Sequence, residues 1–282
     1  MADLFLSGPL WLVGCGNMGS AMLEGWLAAG VDPAHVTVIR PSGKPCANPA
    51  VRVLTDYPED EVPAVVVLAM KPYQLDQVAL RLAPILDPES LLVSILAGVE
   101  QASLRARFPA PRTIVKAMPN LPVGLGKGVV DLYSDGEDQI ARAMILGLMA
   151  ALGHAEWFDS EEAFQLAGHL TGAGPAFLFR FIEGLAAAAE TLGLEPDQAG
   201  RLATAMVEGA AAMARVSDEG PHRLAQRVAS PGGTTEAGLK ILDEDRALFE
   251  LLLRTLGASR RRGLEMAEAA RPKGTQGSSR TD

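Results

Sequence analysis

The sequence predicts an α/β chain, with a doubly wound parallel sheet first and an all-helical domain after it. Three observations carry that prediction. Short, β-branched apolar runs alternate with helical stretches through the first half. A glycine-rich turn, Gly14-x-Gly16-x-x-Gly19, joins the first run to the first helix. From about residue 160 the strand signal gives way to alanine-rich helical segments.

The candidate strands are PLWLV (9–13), HVTVI (35–39), VRVLT (51–55), AVVVLA (64–69), SLLVSI (90–95) and TIVKAM (113–118). Continuous runs of this kind suit strands covered on both faces, where no polar side is needed. Helices over 17–29, 73–83 and 100–107 lie between them. In the second half, the segment 175–194 opens with Pro175 in a first-turn position and stops before Pro196. Helices over 196–217, 234–242 and 245–268 follow. This organisation places a dinucleotide-binding domain at 1–158, a helical dimerisation and substrate domain at 159–270, and a disordered tail at 271–282, which has no apolar side chain to anchor it.

Bulk composition narrows the function. A 282-residue chain that is 48% hydrophobic can build a substantial core. A net charge of −9 argues against nucleic acid or an anionic membrane as partner. No apolar run reaches the roughly 20 residues that cross a bilayer. The N-terminus lacks the basic start of a signal peptide. Cys15 and Cys46 form no Cys-x-x-Cys, so a reducing, cytoplasmic setting is expected. The four histidines show no ligand spacing, and no metal is expected.

The glycine turn carries the first chemistry. It follows an apolar strand and opens a helix, as a dinucleotide-binding, Rossmann-type turn does. Gly14 allows the tight turn, Gly16 lets a pyrophosphate approach the backbone, and Gly19 lets the helix pack on the strand. Asn17 and Met18 then supply first-turn N–H groups to the phosphates. The second strand runs into Arg40, Pro41, Ser42, Gly43 and Lys44, where an NAD site usually has a carboxylate. Arg40 and Ser42 there favour NADPH, with NADH as the alternative. Ser230-Pro231-Gly232-Gly233-Thr234-Thr235 raises a second question, because two adjacent glycines weaken a helix by about 1 kcal/mol each. On residue types alone, that stretch reads equally as a helix-breaking loop or as an anion grip.

Together with VVLAMKPYQ (66–74), AMPNLPVGLGKG (117–128) and LTGAGPAFLFRFIEGLAAAAETLGL (170–194), the glycine turn and SPGGTT resemble the Δ1-pyrroline-5-carboxylate reductase family from about residue 10 to 268. The resemblance implies NADPH-dependent reduction of a cyclic imine carboxylate to L-proline, by hydride transfer to the imine carbon. It implies that Ala69, Met70, Lys71 and Pro72 flank the cofactor, with Lys71 near the nicotinamide and counted with Thr235 as catalytic. It places Asn120 on the loop lining the cleft and counts it among the substrate-binding residues. It assigns Ser230, Gly232, Gly233 and Thr234 to the substrate carboxylate, and Thr235 to the imine nitrogen. It further implies a homodimer through the helical domain, which family members build into larger oligomers of dimers.

Several positions depart from the family pattern. Thr171 and Ala173 replace serines, Leu121 replaces threonine, Ala64 replaces aspartate, and Asp56 stands where asparagine is common. Asp56 belongs with the cofactor residues and pulls toward NADH. The cleft changes keep two other readings open. One is a paralogue acting on a different cyclic imine carboxylate, and the other is a nucleotide-binding regulatory protein with weak turnover.

Overall fold

The structure, a computed structural model, describes residues 8–270; the expected tail at 271–282 lies outside the described residues. Eight strands form one sheet: β1 (Leu10–Val13), β2 (Val36–Ile39), β3 (Arg52–Leu54), β4 (Val65–Leu68), β5 (Leu91–Ser94), β6 (Thr113–Pro119), β7 (Gly128–Tyr133) and β8 (Gly153–Trp157). Their order is β3-β2-β1-β4-β5-β6-β7-β8. The first six are parallel, in the doubly wound order expected. β7 pairs antiparallel to β6, and β8 parallel to β7. The order in which strands are laid down reverses at β1 and β4, and the last residues of these two parallel strands, Val13 and Leu68, are register partners. Ligands of such sheets sit beyond the strand ends at this switch point.

The pleat divides the core in two. Leu10 and Leu12 of β1 join a cluster with Met22, Leu23 and Trp26 of α1 (Asn17–Ala28) and with Ile145, Leu148 and Met149 of α4 (Gln139–Ala150). Trp11 and Val13 point the other way, toward Leu75 and Leu82 of α2 (Leu75–Leu82) and Leu104 of α3 (Gln101–Arg107). Each large side chain buried in this way contributes about 1.5–3 kcal/mol. The Trp26 indole N–H donates to the Leu148 carbonyl at 2.9 Å and locks α1 to α4. Gly25 lets α1 lie on the turn 121–125, since a Cβ there would stand 2.4 Å from the Val123 carbonyl oxygen.

The remaining helices are α5 (Glu161–Thr171), α6 (Gly174–Thr191), α7 (Pro196–Val216), α8 (Pro221–Val228), α9 (Thr234–Asp243) and α10 (Ala247–Ala270). The reading from sequence placed none of β7, β8, α4, α5 and α8. Contacts group the described residues up to Ala173, with those from Arg260 on, into one compact unit, and Gly174–Ser259 into a second. In the second unit α6 packs on α7. Gly193, in a left-handed conformation, closes the turn between them, and the Glu195 carboxylate caps α7 by accepting from the Gln198 N–H at 2.9 Å. No helix among the described residues is long and apolar enough to cross a membrane.

Candidate functional site

The three glycines after β1 do different jobs. Gly14 has φ 87°, and a Cβ there would lie 2.7 Å from the Met70 backbone nitrogen, so both conformation and space exclude a side chain. Gly19 faces the Ala69 methyl, where an added Cβ would sit at 3.4 Å. A Cβ on Gly16 would meet nothing within 4 Å. Gly16 is also the N-cap of α1, and no side chain caps the helix there. The N–H groups of Asn17 and Met18 therefore open onto an unobstructed, electropositive helix end. An uncapped helix start beside a glycine with free space fits a pyrophosphate.

Arg40, at the end of β2, is strung along one lip of this cradle. Its guanidinium donates to the Cys15 carbonyl at 3.3 Å, to the Pro45 carbonyl at 2.8 Å and to the Lys44 carbonyl. Its Nε is buried without a partner. Ser42 is exposed, and its hydroxyl accepts from the Lys44 N–H at 3.4 Å. The guanidinium thus brings positive charge to this lip while backbone carbonyls take up its Nη donors. Asp56 is ion-paired with Arg81 and accepts from the Tyr57 N–H at 2.8 Å. The Arg81 hydrogen bond, helped by that N–H, holds its carboxyl below the usual carboxylate range.

The loop after β4 forms the floor. The Ala69 N–H donates to the Val13 carbonyl at 2.8 Å, fixing this loop against the glycine turn. Met70 is half-buried, Lys71 is exposed, and Pro72 starts the short helical turn leading into α2. The Lys71 N–H donates to the Gln74 side chain at 3.0 Å, so the backbone there is held while the ammonium is free to reach outward.

Asn120 sits at the end of β6 and is buried. Its amide nitrogen donates to the Thr171 carbonyl at 3.0 Å, and its oxygen accepts from the Val129 N–H at 2.9 Å. Both ends of the side chain thus strap the 121–125 turn to β7 and to the end of α5. The structure gives Asn120 the work of a strut that positions the loop. Thr171 is tied in turn to buried Asp131 through its hydroxyl, a pair that sequence reasoning missed.

In the second unit, Ser230 to Gly233 make a tight turn ahead of α9. The Gly233 N–H donates to the Ser230 carbonyl at 2.9 Å, and Gly232 has φ 72°. Gly233 is the N-cap of α9, with no side-chain cap. Thr234 and Thr235 are exposed in the first turn. The Gly232 N–H donates to the Glu236 carboxylate at 2.8 Å, so the loop already grips a carboxylate from its own chain. Glu236 was also missed, although an acidic residue at the third position of a helix is a sequence signal for this kind of contact.

A glycine turn of this shape at the switch point of a parallel sheet, with a basic residue at the end of the second strand, defines a nicotinamide-dinucleotide-dependent oxidoreductase. Residues 10–98 match the family described as NADP oxidoreductase, coenzyme F420-dependent, and residues 161–266 match pyrroline-5-carboxylate reductase dimerisation. The pyrroline-5-carboxylate reductase of Pseudomonas aeruginosa is 37% identical over 263 residues, covering 91% of this chain and 96% of that protein. The structure of a pyrroline-5-carboxylate reductase from Coxiella burnetii superposes with a TM-score of 0.84 at 31% identity, over 93% of this chain and 99% of that one. Plasmodium falciparum pyrroline carboxylate reductase, solved with NADP bound, gives a TM-score of 0.78 at 25% identity, over 92% of this chain and 98% of that one. The chain belongs to the pyrroline-5-carboxylate reductase family. By contact α5 goes with the sheet; by the family match it opens the dimerisation segment.

Proposed function

We propose that this chain reduces Δ1-pyrroline-5-carboxylate to L-proline with NADPH, the last step of proline biosynthesis, in the cytoplasm and as a homodimer that can build further. Residues 1–158 serve the cofactor, and 159–270 serve dimerisation and the substrate. Gly14, Gly16, Asn17, Met18 and Gly19 hold the pyrophosphate. Arg40 and Ser42 hold the ribose phosphate, with Asp56 at the same edge. Ala69, Met70, Lys71 and Pro72 border the nicotinamide. When bound, the reduced nicotinamide supplies the hydride.

The protein's own part is orientation and electrostatics. Ser230, Gly232, Gly233 and Thr234 grip the substrate carboxylate at the start of α9, where N–H groups and the helix dipole favour an anion. Thr235 donates a hydrogen bond at the imine nitrogen, where a proton makes the neighbouring carbon electrophilic. Asn120 holds its loop in place through Thr171 and Val129. The observation that carries this reading is the start of α9, where Gly233 is an N-cap that no side chain caps and Thr234 and Thr235 are exposed.

The test follows absorbance at 340 nm with NADPH and Δ1-pyrroline-5-carboxylate, with NADH and a piperideine carboxylate run in parallel. Fast oxidation of NADPH with the five-membered imine supports the reading. Oxidation only with the six-membered ring moves it to the second reading, a paralogue for a larger imine. That second reading is favoured by Thr171, which stands in place of the family's serine and ties its hydroxyl to Asp131.

A further inference from the structure

The function above gives Asp131 no part in binding the imine. Yet its side chain is buried, and a buried carboxylate costs far more than an apolar side chain of the same size. It lies on the face of β7 that α5 covers. Tyr133, two residues on and so on the same face, meets Phe164 of α5 with 6.2 Å between ring centres. Met118 of β6 is the register partner of Asp131, which puts both side chains on one face. Its sulfur sits against Gly168 and Gly172, and a side chain at Gly168 would run into it. Phe164, Gly168 and Thr171 stand at i, i+4 and i+7, a single stripe of α5. The first two contacts along that stripe are apolar and non-directional. The third is directional, the Thr171 hydroxyl donating to the Asp131 carboxylate.

Asn120 hangs on that third contact. The Thr171 carbonyl accepts from Asn120 Nδ2 at 3.0 Å, and the Asn120 oxygen accepts from the Val129 N–H at 2.9 Å. The second hydrogen on Nδ2 has no partner among the described residues. The Thr171 hydroxyl has one hydrogen and two acceptors in reach, Asp131 and the Ala167 carbonyl at 3.1 Å within its own helix. Bonded to Ala167 alone, it would tie Thr171 only to α5. Bonded to Asp131, it ties the end of α5 to β7. Gly168 and Gly172 offer no side chain to lock that last turn, so its placement falls to this bond.

We propose that Asp131 is a positioning residue for the imine: by holding Thr171 it fixes the carbonyl that holds Asn120, and so sets how tightly the substrate binds. This role rests on the reading that Asn120 belongs to the substrate site. Asp131 itself touches neither substrate nor cofactor. Burial pushes its carboxyl up and the Thr171 bond opposes this, so carboxylate and hydroxyl each answer the other. The cofactor residues around Gly14 and Lys71 lie outside this chain of bonds, so NADPH affinity does not depend on it.

The experiment uses the full chain and follows three quantities: imine kinetics at 340 nm, NADPH binding by fluorescence, and urea unfolding. Asp131→Val removes the tether together with the buried charge and leaves the Thr171 hydroxyl satisfied by Ala167. It should unfold no earlier than the parent and bind NADPH equally. Its KM for Δ1-pyrroline-5-carboxylate should rise about fivefold or more, the worth of one hydrogen bond, with kcat little changed. Asp131→Asn, which can still bond to Thr171, restores a KM near the parent's. Should Asp131→Val fail to fold, Thr171→Val gives the same rise in KM, and Thr171→Ser reverses it. A parent-like KM in the valine variants overturns the inference. So does a KM that rises only in step with lost stability and lost NADPH affinity, the mark of a purely structural role. An Asn120→Ala variant with the parent's KM, or a parent that oxidises no NADPH with the imine, instead brings down the substrate reading, and this inference with it.

Discussion

The sheet and the helices of the second unit treat apolar surface in opposite ways. In β1, β2, β4 and β5 every residue is buried, and Leu10, Trp11 and Leu12 have no exposed surface at all. In α6, eighteen residues long, none is buried. Phe179 is 63% exposed and Leu192 89%, with Phe181, Met206 and Met213 also open. The sheet of the first unit is buried within that unit, because helices cover both of its faces. The second leaves apolar surface well beyond scattered single residues, which marks an interaction surface. The match to a dimerisation segment over 161–266 says what kind. One half of the chain folds around itself, and the other is built to be completed.

The largest expected effect would break that comparison at its helical end. Phe179→Asp puts a charge where the proposed interface closes, and burying an unpaired carboxylate is strongly unfavourable. Dimer dissociation should become easier by about a hundredfold or more, read by sedimentation across a concentration series. An unchanged dimer would show that α6 is not at the interface.

The next two sharpen the contrast between a scaffold glycine and a working one, then between cofactor and substrate. Gly14→Ala forces a methyl against the Met70 backbone at a φ of 87°, and should cost about 2–4 kcal/mol in urea unfolding. Gly16→Ala meets nothing within 4 Å, so stability should hold while NADPH binding falls about tenfold. If both variants lose stability alike, the division of labour within the turn is wrong. Thr235→Ala should slow turnover by about a hundredfold by removing a donor at the imine, with NADPH affinity unchanged. Parent-like kinetics would remove Thr235 from the reaction.

The same contrast explains what could be read from residues alone. The six strands of the first half were legible to within a residue or two, since runs such as VVVL have no polar side to hide. The glycine turn was legible because conformation and contact at Gly14 admit one residue type. β8 was not, because GHAEW alternates half-buried and exposed residues at a sheet edge. β7 was not, because Asp131 interrupts it. α4 carried an unread start signal, Asp138, whose carboxylate accepts from the N–H groups of Ile140 and Ala141. The partners of the Asn120 side chain were hidden for a different reason. Its partners, Val129 and Thr171, are 9 and 51 residues away, and only the fold brings them together.

Asp131 gives the smallest effect and the finest test of how self-sufficient the first unit is. Among its described residues the two buried charged side chains are answered differently. Lys116 meets Glu161 at 2.6 Å, whereas Asp131, 1% exposed, is answered by the Thr171 hydroxyl. Burial pushes the Asp131 carboxyl up from its ordinary 3.8; the Thr171 bond opposes this, Glu156 on β8 adds to it, and His154 on the same strand opposes it. Between the ordinary value and the raised one, the folded chain holds a proton that the unfolded chain has lost. Stability therefore falls as pH climbs through that window, and the full penalty stands above it. Asp131→Asn keeps the shape, carries no charge, and can donate to the Thr171 oxygen while that hydroxyl donates to the Ala167 carbonyl at 3.1 Å. The variant should melt about 2–4 °C higher than the parent at neutral pH, and the gap should close as pH drops below the ordinary carboxylate value. A gap that stays constant with pH would mean that Asp131 titrates alike in the folded and the unfolded chain, and that burial does not disfavour its charge. A gap that keeps widening past neutral pH would mean that the folded chain holds the acid protonated, donating its own hydrogen to Thr171.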